Sequence, residues 1–198
     1  MAWLEPVTLD GGCHVRLEPL ARTHHDALAE AVRDGELWRL WYTSAPSPEG
    51  LATWIDAALA MRERDGALPF VVRERDSGRV LGSTRCFHVD AVNRRFEIGH
   101  TWMRASSQRS GANLEAKLTL LRHAFETLDC IAVEFRTHFM NRQSRTAIEG
   151  LGAKLDGILR AHQRTADGAL RDTCVYSITA PEWPAVRQHL RWRLERPR

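Results

Sequence analysis

Lysine, long apolar runs and a strong excess of either charge are scarce in this chain. Only Lys117 and Lys154 are lysines among the 28 lysine and arginine residues, and the formal net charge is +3. So weak a positive balance does not by itself indicate a nucleic-acid-binding protein. No apolar run reaches the roughly 18 residues that a membrane-spanning helix needs, so we expect no membrane partner.

Cysteine is also rare, and its spacing excludes common cysteine sites. No two cysteines form a C-x-x-C pair, and none stands near a histidine at zinc-ligand spacing. We therefore expect no metal, and we interpret the cysteines as small buried residues of a reducing compartment. Residues 1–6 have neither the basic nor the apolar region of a signal peptide. Together these features predict a cytoplasmic location.

The apolar content is sufficient for one domain. Of the 198 residues, 43% are hydrophobic, and their periodicity continues along the chain, which excludes wholesale disorder. We expect a single domain over 1–198, with a core of about 14–179 and a C-terminal helix at 181–195. Periodicity and turn signals predict the order β, α, α, β, β, β, α, β, α, β, β, α. That order is typical of an α+β fold with a mixed sheet.

The most informative segment, residues 106–113, lies between a predicted strand at 95–103 and a long helix predicted at about 113–128. It is made of small and polar residues, with Arg104 before it and Arg109 within it. Small residues let backbone N–H groups converge on an anion, and the following helix presents its positive end. The segment predicts a pyrophosphate site, although an ordinary turn can have the same composition. It lacks the motifs of nucleotide P-loops and dinucleotide sites.

Several segments together resemble one enzyme superfamily. The spacing of its acyl-CoA signature falls on Gln108, Gly111 and Asn113. The segment at 141–144 and the ending at 151–153 extend the similarity over about 15–178. On these residues the chain resembles the GCN5-related N-acetyltransferase (GNAT) superfamily. More narrowly, it resembles the ribosomal-protein N-terminal acetyltransferases, the RimJ/RimL-like branch.

The resemblance implies a fold and a cosubstrate. The fold would be α+β, with a mixed, mostly antiparallel sheet, flanking helices and a splayed parallel strand pair that holds acyl-CoA. The pantetheine arm of acetyl-CoA would pair with the backbone of 98–103. A primary amine, on a small molecule or a protein N-terminus, would attack the thioester directly in a ternary complex. The implied coenzyme-binding residues are Trp102, Met103, Gln108, Arg109, Ser110, Gly111, Ala112, Asn113 and Asn141.

The chain departs from the family pattern at two places. Asn113 stands where the family has glycine or alanine, and its side chain would crowd the phosphates. The branch also uses a glutamate on the strand after the short helix, but residues 159–164 contain no carboxylate. The catalytic base therefore cannot be carried over from that branch.

Glu97 is the first candidate for the general base. It lies eleven residues before Gln108, the separation found for the catalytic glutamate of histone-acetylating members. A carboxylate can remove the proton of an attacking amine through water. The alternative is a surface glutamate paired with Arg85 or Arg95.

His100 is the second candidate for the base. On a regular strand it faces away from Glu97, together with Ile98 and Trp102. A bulge near Gly99 would change that orientation, since glycine inside a strand often marks one. The alternative is a core histidine among apolar neighbours.

Asn141 and Ser144 carry roles implied by the resemblance. Asn141 would contact CoA, and Ser144 would protonate the leaving thiolate. Both residues also suit the start of a helix, where asparagine is a favoured N-cap. The two interpretations are compatible.

A group of aromatic residues lies before and within the predicted second helix. Trp38, Trp41 and Tyr42, with Trp54 further on, lie in the region that covers the acceptor site in related proteins. They would form an amine-binding wall through cation–π contacts. The alternative is packing between the two N-terminal helices.

Two other functions remain open at this level. The departures from the family pattern allow a non-catalytic acyl-CoA-binding regulatory module of the same fold. The arginine-rich segment at 187–198 allows a nucleic-acid-binding protein, but a solvated helix face explains it more simply. We expect no nucleic-acid partner, and either a monomer or a homodimer.

Overall fold

The computed structural model describes residues 3–165 and 167–196, and within them five α-helices and eight strands. The helices are α1 (His25–Arg33), α2 (Leu51–Asp65), α3 (Ala112–Arg122), α4 (Arg142–Glu149) and α5 (Trp183–Glu195). The strands are β1 (Leu9–Asp10), β2 (Val15–Pro19), β3 (Leu68–Glu74), β4 (Val80–Asp90), β5 (Arg95–Met103), β6 (Ala132–His138), β7 (Lys154–Arg164) and β8 (Leu170–Thr179). The predicted element order is confirmed, with the two-residue β1 added. The ends of the predicted domain, 1 and 198, lie outside the described residues.

All eight strands belong to one sheet in the order β1-β2-β3-β4-β5-β6-β8-β7. Neighbouring strands are antiparallel except β5 and β6, which run parallel. A parallel pair needs a crossover connection, and the segment that contains α3 supplies it. The helix predicted to reach residue 128 ends its α-helical part at Arg122 and continues as a π-turn over His123–Thr127. The predicted α+β class with a mixed sheet is confirmed.

The sheet separates two apolar clusters. On one face, called here the α3 face, Phe96 and Ile98 of β5 pack with Leu120 of α3. On the other, the α1–α2 face, Trp102 of β5 packs with the buried side chains of α1 and α2. Burial of side chains of this size stabilises the fold by about 1.5–3 kcal/mol each. Strand β5 therefore contributes to both faces, and the positions at which it changes face matter for the site below.

The cysteines divide between the core and the surface. Three cysteines are buried as predicted, but Cys13 is exposed because it lies in the turn between β1 and β2; all four thiols are free.

On the arginine-rich α5, Arg187 pairs with Glu126; residues 197 and 198 lie outside the described residues. None of the described helices is both long and apolar enough to cross a membrane.

A buried glutamate joins α3 to the start of β2. The Glu115 carboxylate accepts hydrogen bonds from the backbone N–H groups of Cys13, His14 and Val15, at 2.8, 2.5 and 2.7 Å. Glu115 is 1% exposed. Gly11 lies against the same carboxylate, because a Cβ there would stand 2.7 Å from Glu115 Cδ. One acidic side chain thus fixes the turn between β1 and β2 onto α3.

Replacing this carboxylate is expected to destabilise the fold. The substitution Glu115→Ala leaves three backbone donors without their acceptor, so the free energy of unfolding should fall by about 3 kcal/mol. Urea denaturation measures this loss. The matched control is Glu63→Ala on α2, where the side chain is exposed and pairs with Arg62; its effect should stay within about 0.5 kcal/mol. Equal effects of the two substitutions would contradict the role assigned to Glu115.

Candidate active site

A cleft opens where β5 and β6 separate. The two strands pair only at Arg95–Glu97 against Ala132–Glu134, and beyond these residues they diverge. The space between them is about 680 Å³ and is lined by both strands, α3, α4 and the α1–α2 loop. The splayed parallel pair expected from the family resemblance is therefore present. Along this cleft, the main chain of β5 from Ile98 onward has no ladder partner on the β6 side.

A β-bulge interrupts β5 at the cleft. Ser83 of β4 pairs with Trp102, but Arg85 pairs with Gly99, so β5 carries one more residue than β4 in between. His100 absorbs the extra length in a left-handed conformation, with φ of 49°. A non-glycine residue in this region is strained and is found mainly where function or packing demands it.

The bulge changes the face on which His100 and Trp102 lie. The His100 ring packs against Phe87, at 4.8 Å between centroids, and Phe87 is the register partner of Glu97. Trp102 packs against Trp54 of α2. The regular-strand expectation that His100 faces away from Glu97, together with Ile98, is therefore wrong, because the extra residue shifts the alternation by one.

Glu97 is buried within a charged cluster on the α1–α2 face. It is 4% exposed, and its Oε2 lies 2.9 Å from His88 Nδ1 and 3.5 Å from Arg136 Nε. The expected alternative partners Arg85 and Arg95 are not used; Arg95 pairs with Glu134 instead. Glu97 is not among the residues that line the cleft, whereas Arg136 and His100 are.

His88 reaches Glu97 by means of a second bulge. The β4–β5 register shifts again between Phe87 and Asp90, and His88 has a φ of 49°. Its side chain is 62% exposed and stacks on Phe87 at 4.4 Å. Gly99 leaves room for this arrangement, because a Cβ there would lie 2.9 Å from the Phe87 ring and 3.2 Å from Glu97 Oε1.

The pKa values of the two candidate bases move in opposite directions. Burial raises the pKa of Glu97, although His88 and Arg136 act against the change. Burial, reinforced by the positive charges of Arg85, His88 and Arg171, lowers the pKa of His100 to about 4. Because desolvation disfavours the charged form of each group, His100 is a neutral imidazole at neutral pH and Glu97 is a stronger base than an exposed carboxylate.

The predicted pyrophosphate segment forms the entrance to α3. Gly111 is the N-cap of α3 with a φ of 100° and makes no side-chain cap, whereas Ser110 Oγ accepts the Ala112 N–H at 3.3 Å. Ser110 Oγ donates to Ser107 O at 2.6 Å, which holds the turn. Gln108, Arg109 and Asn113 line the cleft. The other N–H groups of the first helical turn, with a glycine before them, can be presented to an anion.

The side chains of Arg104 and Gln108, at the two ends of this turn, contact different elements of the fold. Arg104 is buried and pairs with Glu30 of α1 at 3.0 Å, so its charge is directed to α1 and not to the predicted pyrophosphate site. Gln108 Nε2 is 3.5 Å from Met103 O, and its Oε1 lies 3.5 Å from Gln143 Nε2 of α4. Gln108 therefore spans the cleft mouth between β5 and α4.

Asn141 and Ser144 lie at the start of α4. Asn141 is the N-cap, and its Oδ1 accepts the Ser144 N–H at 3.0 Å. The capping interpretation is confirmed. Both residues also line the cleft, so capping leaves the proposed contacts with coenzyme possible.

The aromatic residues divide between core and cleft. Trp38 and Trp54 pack against the apolar cluster of α1 and α2. Tyr42 lines the cleft. Trp41 is 59% exposed and lies with its ring 5.0 Å from that of His138, at the end of β6. The segment around 41–42 therefore reaches from the α1–α2 side to the far strand of the cleft.

Three cleft residues carry buried polar atoms that have no hydrogen-bond partner among the described residues. They are Trp102 Nε1, Asn113 Oδ1 and His138 Nε2. Buried polar atoms are normally paired, so these atoms mark positions where a polar ligand would supply the missing hydrogen-bond partner. In the part of the chain that the structure describes, no group of three His, Cys, Asp or Glu side chains could hold a metal ion.

Three residues of the site, Lys117, Thr101 and His88, were not predicted from the sequence. Lys117 lines the cleft from α3 and donates to Thr101. One signal for it existed, since Lys117 stands three residues after Leu114 and four before Leu121, on the apolar stripe of the helix. The contacts of His88 and Thr101 depend on the two bulges; Gly99 indicated the possibility of one bulge, but the sequence does not determine which side chains a bulge brings together.

Comparison with known proteins identifies the family. The model of the acetyltransferase (GNAT) domain matches residues 14–154. No curated protein matches the chain. Among solved structures, a T. thermophilus protein provisionally described as an acetyltransferase is 35% identical, covers 97% of this chain and 99% of its own, and has a TM-score of 0.84.

Two more distant structures share the fold. RimJ of Mycobacterium smegmatis, solved with CoA-disulfide, is 22% identical over 95% of both chains, with a TM-score of 0.77. A Salmonella typhimurium acetyltransferase that modifies the N-terminal serine of a 50S ribosomal subunit protein is 16% identical, with a TM-score of 0.76 over 87% of this chain and 99% of its own. Since the domain match spans more than half of the residues, this chain belongs to the GNAT family of N-acetyltransferases.

Proposed function

We propose that this enzyme binds acetyl-CoA between β5 and β6 and transfers the acetyl group to a primary amine in a ternary complex. The observation that carries the proposal is the separation of these strands, which exposes the main chain of β5 to an extended ligand arm. A cleft of about 680 Å³ has the size of a small-molecule site. The unpartnered atoms of Trp102, Asn113 and His138 fit a ligand with amide groups.

The proposed coenzyme contacts follow the cleft from its mouth inward. Gly111 and the first turn of α3 would hold the pyrophosphate, together with Gln108, Arg109, Ser110, Ala112 and Asn113. The stretch that ends in Trp102 and Met103 would pair with the pantetheine arm. Asn141 would contact the coenzyme from α4. Asn113 lies inside the cleft lining, so its amide would replace the open space that glycine or alanine leaves in relatives.

For the amine, we propose Glu97 as the general base. A terminal ammonium is mostly protonated at neutral pH, and its proton must leave before nitrogen attacks. The raised pKa of Glu97 strengthens it as a base. Since its carboxylate lies behind the cleft lining, the proton would travel through water past Arg136 and His100. His88, which is exposed and bonded to Glu97, offers an exit to solvent.

The remaining steps concern the thioester. A backbone N–H of the unpaired β5 stretch would stabilise the oxyanion. Ser144 would protonate the leaving thiolate, as its place in the RimJ/RimL-like pattern implies. His100 stays the second candidate for the base, although a pKa of about 4 makes it a weak one.

We favour a protein N-terminus as acceptor, with a small amine as the alternative. The support is the likeness to RimJ and to the enzyme that modifies an N-terminal serine of a ribosomal protein. Tyr42 and Trp41 would form the acceptor wall; Trp38 is farther from this role because it packs in the core. A single domain, a cytoplasmic location and a monomer or homodimer stay predictions.

Removing the proposed base should abolish turnover but not coenzyme binding. For Glu97→Gln we expect thiol release from acetyl-CoA, measured with a panel of amines and N-terminal peptides, to fall about 100-fold or more. The matched control is Glu134→Gln, which removes a carboxylate from the same charged cluster and should retain most of the activity. If wild-type protein binds acetyl-CoA yet releases no thiol with any acceptor, the non-catalytic module is the better description.

The glycine at the start of α3 should be required for coenzyme binding. Gly111→Ala places a Cβ at a φ of 100° and disturbs the N–H groups that face the pyrophosphate. We expect the Kd for acetyl-CoA to rise about tenfold, measured by thermal shift at graded coenzyme concentrations. Gly12→Ala is the control, since Gly12 has a φ of 112° in open space away from the cleft. Failure of millimolar acetyl-CoA to stabilise the wild-type protein would end the proposal.

Two substitutions at Asn141 separate its cap from its coenzyme contact. Asn141→Ala removes the acceptor for Ser144 N–H and should cost about 1 kcal/mol of unfolding free energy. Asn141→Asp keeps the cap and the stability but brings negative charge toward an anionic coenzyme. We expect it to weaken acetyl-CoA binding severalfold in a titration. Unchanged affinity in the aspartate variant would limit Asn141 to capping.

A further inference from the structure

A buried lysine lies beneath the bulge of β5, on the α3 face. The Lys117 ammonium donates to Thr101 Oγ1 at 2.6 Å and to Thr84 Oγ1 at 2.9 Å. Lys117 is 6% exposed and Thr84 is 1% exposed. Lys154, the other lysine, is exposed and pairs with Glu182, whereas among the described residues no carboxylate forms an ion pair with Lys117.

A buried ammonium of this kind lowers the stability of the fold. A buried charge without a counter-ion destabilises a fold unless its hydrogen-bond partners compensate. Burial lowers the pKa of Lys117 to about 7, and the neighbouring Cys86 only partly offsets this, so the ammonium form is lost as the pH rises above neutrality. An apolar side chain would fill the same space on the apolar stripe of α3 at lower cost. Perturbed groups of this kind in a cleft are candidates for function.

The hydrogen bonds favour one direction for the Thr101 hydroxyl. Thr84 Oγ1 accepts from Lys117 and lies 2.8 Å from Thr101 Oγ1, a contact in which either hydroxyl is able to donate. Because Thr84 is buried and its proton has no other acceptor among the described residues, we assign Thr84 as the donor. Thr101 Oγ1 thereby accepts from both Lys117 and Thr84, and a hydroxyl oxygen has two acceptor positions. Its own proton remains to be donated. Gly99 O, at 3.4 Å, is a distant acceptor, and Thr101 is exposed to the cleft.

The position of Thr101 matches the reacting end of the cleft. It follows the bulge residue His100 in the unpaired part of β5. It lies along the chain between Glu97, the proposed base, and the 106–113 segment, the proposed pyrophosphate site. The thioester of a coenzyme that is held by the 106–113 segment and extends toward Glu97 would pass this hydroxyl.

We propose that Thr101 donates its hydroxyl hydrogen bond to the thioester carbonyl oxygen of bound acetyl-CoA, and that Lys117 is a positioning residue that holds and polarises this hydroxyl. The inference rests on the proposed function. As the amine attacks, negative charge develops on the carbonyl oxygen, and a donor backed by an ammonium stabilises that charge more than the neutral ground state. No proton leaves Thr101 or Lys117 in this step.

Kinetics of paired variants tests the proposal. For Thr101→Val, kcat for thiol release from acetyl-CoA should fall about 100-fold, the effect of losing one oxyanion donor, while Thr101→Ser retains most of the rate. Lys117→Met should lower kcat about tenfold or more, and Lys117→Arg should restore part of it because the charge returns. The affinity for free CoA, which has no thioester carbonyl, should stay within about twofold in every variant. Lys154→Arg is the control.

A purely structural lysine gives a different pattern. If Lys117 only supported the fold, Lys117→Met would change the melting temperature and the CoA affinity together with the rate. We expect its melting temperature to be unchanged or raised, since an unpaired buried ammonium is lost. Normal kcat in both Thr101→Val and Lys117→Met overturns the inference and leaves the proposed function intact. Acetylation of Lys117 itself, seen by mass spectrometry after incubation with acetyl-CoA, also overturns it. Absence of coenzyme binding or thiol release in wild-type protein overturns both.

Discussion

The separation of β5 from β6 after three paired residues is the constraint on which the rest of the site depends. A parallel ladder that continued would satisfy its own N–H and C=O groups and leave nothing for a ligand. Because the strands diverge, β5 keeps one side of its main chain open, and the crossover through α3 brings a helix start to the mouth of the opening. The proposed coenzyme binding and acyl transfer both depend on this one departure from a regular sheet.

The two bulges of the β4–β5 pair distribute the chemistry over both faces of the sheet. On the α1–α2 face they bring His88 and His100 against Phe87, beside the buried Glu97. On the α3 face the same irregularity places Thr101 over Lys117. The charged cluster around Glu97 and a lone ammonium thus lie on opposite sides of one short stretch of strand. Low solvent exposure strengthens the electrostatic interactions of both groups, since charges interact more strongly away from water.

The fold was largely accessible from periodicity and turn chemistry. The helical stripe of α3, the hairpin signals and the capping box at Thr179, whose N–H and hydroxyl both reach Glu182, are local features, and local features survive in the tertiary structure. The site was accessible only in part. The segment around Gly111 and the cap at Asn141 were predicted because they also depend on neighbours in sequence. The partners of Glu97 and Arg104 were not, because they come from other strands and helices.

By itself, the sequence determined the element order and the small-residue segment before α3, since both depend on neighbours along the chain, whereas the candidates Glu97, Asn141 and Ser144 came from the resemblance to the family. Only the tertiary structure decided which face His100 and Trp102 occupy, which arginine meets Glu97 and that Lys117 is buried against two threonines. The physical reason is the register of β5: one extra residue at a bulge reverses the side-chain alternation of everything after it. Whether that residue is accommodated is settled by the pairing with β4, through contacts that are remote in the sequence.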